Sequence, residues 1–194
     1  NKPLLHIFDP KSIPECKKNL DFWRQLAVKN GFNGLHIIGE NTKLEYKDKF
    51  GLDAVTTSYH REIENGNFKN KFMRRLYNLL NKRPRKAKIF EYRDALNFFV
   101  NKNPMPESEY PCIVPNWDTT ARLGNKAVIL KGSTPKLFKK HLFEVFDSIK
   151  NKPSADKVIY LKSWNEWAEG NYIEPDRKFG RKYLEVLKEV VDQF

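Results

Sequence analysis

Short apolar runs alternate with amphipathic helical stretches along this chain, and that alternation limits the fold more than any other feature. Leu4-Leu5-His6-Ile7-Phe8 is the first apolar run. Ser12-Ile13-Pro14-Glu15 follows and predicts a capping box with a proline near the first helical turn. The helix it opens carries Leu20, Trp23, Leu26 and Ala27 on one face and ends at Asn30-Gly31, a good C-cap pair. Residues 34–39 read as a second strand, 43–50 as a short amphipathic connection and 52–57 as a third strand. Residues 111–116 form the fourth. Thr134-Pro135 then opens a helix to about Lys150, with Leu137, His141, Leu142, Val145, Phe146 and Ile149 inward. Val158-Ile159-Tyr160-Leu161 is a fifth strand, nearly all apolar as buried parallel strands are. The last helix runs from about Arg177 and carries Tyr183, Leu184, Leu187, Val190 and Val191. Residues 59–103 are less regular. Phe72, Leu76, Leu79 and Leu80 have helical spacing, and 92–100 reads as a further helix. A long region of this kind decorates one face and often serves binding.

Five β-then-α units predict an α/β fold with a parallel sheet. Either an open doubly wound sheet or part of a (β/α)8 barrel would satisfy the pattern. The phosphate-loop fingerprints G-x-G-x-x-G and G-x-x-x-x-G-K-[ST] are both absent, which favours the barrel. A full barrel takes about 250 residues, whereas this chain has 194. Residues 1–194 are therefore expected to be the C-terminal portion of a (β/α)8 TIM-type barrel. The abrupt start at Asn1 fits a piece of a longer protein whose first barrel strands lie upstream. Five strands leave an open sheet edge, to be covered either by the rest of a longer protein or by self-association through that edge.

Composition narrows the function. Hydrophobic residues make up 40% and charged residues 31%, too apolar for a disordered basic tail. The net charge of +12 comes mostly from lysines scattered through every segment. One cluster stands out, Lys82-Arg83-Pro84-Arg85-Lys86-Ala87-Lys88. It can be a solvated loop, meet an anionic ligand or membrane surface, or bind nucleic acid. No nucleic-acid fold signature accompanies it, so no nucleic-acid partner is expected. No apolar run approaches the roughly 18 residues of a membrane span, and no signal-peptide pattern is present. Cys16 and Cys112 stand far apart without metal spacing and read as buried free thiols in a reducing, cytoplasmic compartment. His6, His36, His60 and His141 share no ligand spacing. Neither a metal nor a cofactor is expected.

The chemistry-bearing segment is Ser163-Trp164-Asn165-Glu166-Trp167-Ala168-Glu169-Gly170-Asn171-Tyr172-Ile173-Glu174-Pro175, directly after the last apolar strand. In a barrel, residues just past a strand's C-terminal end line the active site. Trp164 and Trp167 can offer flat faces to sugar C–H surfaces. Glu166 and Glu169 can supply the two carboxyl groups of glycosidic chemistry, and Asn165 and Glu174 can bind hydroxyls. Residues three apart on a straight strand face opposite ways, so the two glutamates meet one pocket only if the chain turns, and Gly170 helps such a turn. The same turn can equally be a plain loop whose glutamates are solvated or paired with Arg or Lys. At the end of the preceding strand stands Pro115-Asn116-Trp117-Asp118-Thr119-Thr120-Ala121-Arg122. Trp117, Asp118 and Arg122 suit a polar ligand there; alternatively Asp118 and Arg122 pair with each other and fix the loop. Tyr59 and His60, just past the third strand, are weaker candidates.

The two segments P-N-W-D-T-T-A-R and W-N-E-W-A-E-G-N-Y-I-E-P-D, in this order and separated by one helix, resemble the WbsX-like family of bacterial O-antigen and surface-polysaccharide gene clusters. That family is related to glycoside hydrolase family 99, the endo-acting α-mannosidases and α-mannanases with (β/α)8 barrels. The resemblance implies a carbohydrate-active enzyme with a poly- or oligosaccharide substrate. It implies that Glu166 acts as base on the sugar's own 2-hydroxyl, forming a 1,2-anhydro intermediate, and that Glu169 is general acid and then base for water. Trp117 and Asp118 match a substrate-facing aromatic and Asp of those hydrolases. Ala168 departs from them, since the residue between the glutamates is typically His there. WbsX-like proteins are often labelled glycosyltransferases, so a transferase using an activated donor, or a non-catalytic carbohydrate-binding domain, stands beside the hydrolase reading.

Overall fold

The computed structural model describes residues 1–57, 86–100 and 104–194. Tyr59, His60, the apolar spacing at Phe72, Leu76, Leu79 and Leu80, and most of the 82–88 basic cluster lie outside the described residues. Strands and helices below are numbered in chain order.

β1 (Leu4–Ile7), β2 (His36–Gly39) and β3 (Ala54–Thr57) pair in parallel, with Leu4 opposite His36 and Ile38 opposite Ala54. β4 (Lys88–Glu91) belongs to another sheet. β5 (Glu109–Ile113) pairs in parallel with β3, Thr56 opposite Tyr110, and β8 (Tyr160–Leu161) follows it, giving the order β1-β2-β3-β5-β8. Space follows sequence without reversal. A doubly wound sheet reverses its strand order at a switch point; a barrel wall does not. The expected α/β fold, a run of β/α units of a TIM-type barrel, is the fold observed.

The chain divides into two compact units, residues 1–58, 104–112 and 149–160 in the first and 59–103, 113–148 and 161–194 in the second. The first unit has two apolar layers. Leu5, Ile7, Ile37 and Val55 pack with Cys16 and Leu20 of α1 (Cys16–Lys29), while Ile38, Ala54 and Tyr110 pack with Val158 and Tyr160. Successive strand residues point to opposite faces, so a single strand supplies both layers. α1 ends as expected. Gly31 takes φ +87°, and the N–H groups of Gly31 and Phe32 donate to the carbonyls of Val28 and Ala27 at 3.0 and 3.1 Å, a Schellman closure. Its start differs from expectation. Glu15 sits at φ +45° and makes no side-chain cap; its carboxylate pairs instead with Lys18 at 3.0 Å. Trp23 and Leu26 are also exposed, so the buried stripe is narrower than the apolar spacing suggested. The connection at 43–50 holds a 3-10 turn, Leu44–Tyr46, and α2 (Lys47–Phe50). Cys16 and Cys112 are both buried free thiols.

The second unit holds a three-stranded sheet, with β7 (Val128–Lys131) parallel to β4 and antiparallel to β6 (Trp117–Asp118). Neither β4 nor β7 was expected. Both are four-residue strands, too short for a period of two to stand out. α3 (Tyr92–Phe99) falls where the 92–100 helix was expected. Its Tyr92, Ala95, Leu96 and Phe99 bury against Val114, Trp117, Val128 and Leu130. The Tyr92 hydroxyl donates to the Val114 carbonyl at 2.7 Å. A short α4 (Thr120–Leu123) follows β6. α5 (Pro135–Ile149) begins with the Thr134 hydroxyl accepting the Leu137 N–H at 3.3 Å. On α5, His141 is fully buried. Its Nε2 accepts the Val114 N–H at 3.3 Å, so the proton sits on Nδ1, which finds no partner among the described residues. Burial pushes this imidazole down to about 3. The last helix, α6 (Lys182–Val191), starts five residues later than expected. The Asp176 carboxylate accepts the N–H groups of Lys178 and Phe179, and Asp176 bridges Gly180, so residues 176–180 form a turn instead.

Candidate functional site

The segment with two tryptophans and three glutamates folds as a hairpin. β9 (Asn165–Glu166) pairs antiparallel with β10 (Asn171–Tyr172), Glu166 opposite Asn171. Between them Trp167–Glu169 make a 3-10 turn, closed by the Gly170 N–H on the Trp167 carbonyl at 3.0 Å. The chain does turn between the glutamates. Gly170 is required twice. Its φ is +53°, and a Cβ there would lie 2.8 Å from the Asp118 Cβ and 3.0 Å from the Asp118 N.

That close approach presses the hairpin onto the 116–122 segment, and three polar contacts hold it there. Asn171, fully buried, donates through Nδ2 to the Asn116 carbonyl. The Tyr172 N–H donates to Asn116 Oδ1 at 2.9 Å. Arg122 pairs with Glu169 through Nη1 and Oε1. The Trp167 indole N–H donates to Glu174 at 2.8 Å inside the hairpin. Two segments whose contacts span 47 to 56 residues of sequence thus form one surface. Asn116 and Asn171 carry much of it and were not singled out as site residues. Asn171 bonds through Nδ2 only, its Oδ1 having no partner among the described residues, and the sequence pattern does not reveal the contact with Asn116.

Each candidate residue has a definite place. Trp164 and Trp167 are 52% and 50% exposed. The Trp167 ring stacks on Tyr172, centroids 3.7 Å apart and planes at 18°, and so is held flat. Asn165 is exposed, Glu166 and Glu174 are half-buried, and Glu169 keeps a fifth of its side chain accessible. Asp118 and Arg122 do not pair with each other. Asp118 Oδ1 accepts the Thr120 N–H at 2.8 Å, and Arg122 takes Glu169. Trp117 departs from the picture of a ligand-facing aromatic: it is 5% exposed and sits in the core with Tyr92 and Leu130. Strand alternation explains it, because on β6 only one of Trp117 and Asp118 can face out. Tyr59 lies outside the described residues.

An open groove of about 770 Å³ adjoins the hairpin, lined by Asn116, Trp117, Asp118, Trp167, Gly170, Tyr172 and residues 175–179, with Glu166 and Glu169 outside its lining. At its edge the Tyr183 hydroxyl meets Ser133 at 2.8 Å, and burial pushes that phenol up to about 12. Burial, then the Asp176 charge, also raises Tyr172. Both phenols stay protonated at neutral pH and act as hydrogen-bond groups. Among the described residues no three His, Cys, Asp or Glu side chains are grouped to hold a metal, and no helix is long and apolar enough to cross a membrane.

The family described as Glycosyltransferase WbsX matches residues 1–187. The chain belongs to this family. Two similar curated proteins, each called uncharacterized protein WxcX, come from two strains of Xanthomonas campestris pv. campestris. They are 23% and 24% identical to this chain over 205 residues. Each match covers 98% of this chain and 27% of the relative, so the chain spans about a quarter of those proteins. Among solved structures, a glycoside hydrolase-like protein superposes with a TM-score of 0.62 at 22% identity, covering 97% of this chain and 54% of that one. That likeness is one of fold.

Proposed function

We propose that this chain carries the site of a carbohydrate-active enzyme that acts on glycosidic bonds of a bacterial surface polysaccharide, with Glu166 and Glu169 as its working carboxylates. The observation behind this reading is the hairpin: two glutamates on one tight turn, flanked by two half-exposed tryptophans, braced on Asn116 and Arg122. Sugars offer apolar C–H faces that stack on indole rings and hydroxyls that bond to carboxylates and amides. In this reading Glu166 assists the sugar's 2-hydroxyl or stabilises developing positive charge. Glu169 donates a proton to the leaving oxygen and later accepts one. Arg122 donates to its Oε1. Arg122 is then a positioning residue that fixes the carboxyl plane.

The test is turnover of the polysaccharide by the full-length protein with Glu166→Gln or Glu169→Gln. A general acid or base contributes roughly 10²- to 10⁴-fold, so each change should slow product release by that order. Unchanged turnover in both would remove the assignment. A second reading is a glycosyltransferase using an activated sugar, supported by the description of the family. It predicts saturable binding of a nucleotide sugar or polyprenyl-phosphate sugar. A purely binding domain would instead keep its glycan affinity in both variants and show no turnover.

A further inference from the structure

Outside the glutamate hairpin, one set of cations makes no ion pair among the described residues. Lys131 at the end of β7, and Arg177 and Lys178 on the turn after the hairpin, all line the 770 Å³ groove and are all exposed. None of the three makes an ion pair among the described residues; Lys178 lies over the Phe179 ring, its Nζ 4.8 Å from the centroid. Two carboxylates also line the groove, and both are already engaged. Asp118 caps the Thr120 N–H, and Asp176 holds the backbone of its own turn and, at 3.4 Å, the Tyr172 hydroxyl. The Asp176–Gly180 bridge fixes the loop that carries Arg177 and Lys178. Trp167, Tyr172 and Phe179 add aromatic surface to the same groove.

We propose that this groove is a subsite for the anionic part of a saccharide, a carboxylate or phosphoryl group met by Lys131, Arg177 and Lys178 while the sugar's apolar face rests on Trp167. The proposal rests on the carbohydrate reading above and narrows its substrate class to acidic or phosphorylated sugars. The chemistry fits. A guanidinium offers a planar fork that bonds a carboxylate or phosphate through two parallel N–H donors, and the ammonium groups add point charges. An aromatic floor beside unpaired cations selects a ligand that is both flat-faced and charged.

Two ligand sources share this chemistry: a uronic-acid residue within the glycan, and the phosphate of an activated sugar. The full-length protein would be titrated calorimetrically with oligogalacturonate, with its carboxyl-reduced neutral counterpart, and with UDP-glucose. At low salt, about 0.05 M, at least one anionic probe should bind on the order of tenfold tighter than the neutral oligosaccharide. That advantage should shrink at about 0.5 M salt. It should collapse in Lys131→Gln/Arg177→Gln/Lys178→Gln, three exposed changes that leave the core untouched; circular dichroism checks the fold, and the single Arg177→Gln variant should lose part of the advantage. Oligogalacturonate as the favoured probe marks the carboxylate source, UDP-glucose the phosphate source. Equal binding of charged and neutral probes, no binding by either anion, or an advantage that survives the triple change overturns the proposal. Failure of the Glu166 and Glu169 assignment would show separately, as turnover insensitive to both Glu→Gln changes while the charge-dependent binding remains.

Discussion

Trp117 and Trp167 stand in look-alike sequence surroundings, each followed within two residues by a carboxylate, yet they end in opposite environments. Trp117 is 5% exposed and Trp167 is 50% exposed. The difference comes from the element that carries each. Trp117 lies on a strand whose partner places Leu130 opposite it, so its indole completes a core. Trp167 opens a turn, where one ring face is covered by Tyr172 and the rest is left to solvent. The two segments therefore share the work unequally. The 116–122 segment anchors the surface and the 164–174 hairpin presents it. Residue type alone cannot distinguish an anchor from a platform; the periodicity of the element decides.

The largest effect expected from this contrast is on stability. Trp117→Ala should destabilise the protein by about 3–5 kcal/mol, the range for truncating a large buried aromatic. Trp164→Ala should cost below about 1 kcal/mol, as surface changes do, and Trp167→Ala about 1–2 kcal/mol, since it gives up the Tyr172 stack and the Glu174 hydrogen bond. Urea unfolding of the three variants checks this, and comparable losses in all three would erase the distinction.

Next comes the anchor's neighbour, His141. Its folded value of about 3 lies below the 6.5 of an ordinary imidazole, so the unfolded chain takes up a proton that the folded chain refuses. Stability from this site is whole above pH 6.5 and is lost as pH falls from there toward 3. The slope is about 1.4 kcal/mol per pH unit. His141→Gln should flatten that part of the stability curve relative to wild type between pH 6 and pH 4 (about 2 units). Parallel curves would show that the ring is not buried neutral.

Smaller is the effect of Gly170→Ala. The new methyl would collide with Asp118 at a left-handed backbone position, so a loss of about 1–3 kcal/mol is expected. It should come with altered environments for Trp164 and Trp167 in near-ultraviolet circular dichroism. A neutral substitution would mean that the hairpin does not press on the 118 backbone.

Much of the barrel-like sheet was legible because its strands announce themselves. Leu4 to Ile7 and the Ile37-Ile38 pair are apolar runs bounded by turn residues, and Asn30-Gly31 ends a helix by a local rule. The glutamate hairpin was legible as a concentration of unusual residues, and Gly170 gave its turn away. What stayed hidden depends on contacts distant in sequence. β4 and β7 are strands because each completes the other. The Ser12–Glu15 capping box did not form: Ser12 ends a 3-10 turn and donates to the Asp9 carbonyl at 2.8 Å, and α1 starts only at Cys16. The Arg122–Glu169 pair displaced the Arg122–Asp118 pair that proximity in sequence suggested. Trp117 looked like a ligand contact because its neighbours are polar, whereas its own side of the strand is not.

The exposed hairpin tryptophans, rather than the buried Trp117, are expected to carry the glycan's apolar face. Indole N–H resonances report it directly, since the chain has four tryptophans and each contributes one signal. Oligosaccharides released from the producing organism's polysaccharide would be titrated into the ¹⁵N-labelled protein. Saturable shifts of the Trp164 and Trp167 signals, with Trp117 and Trp23 unmoved, are the predicted result. Shifts at Trp117 with the hairpin signals unmoved would contradict it.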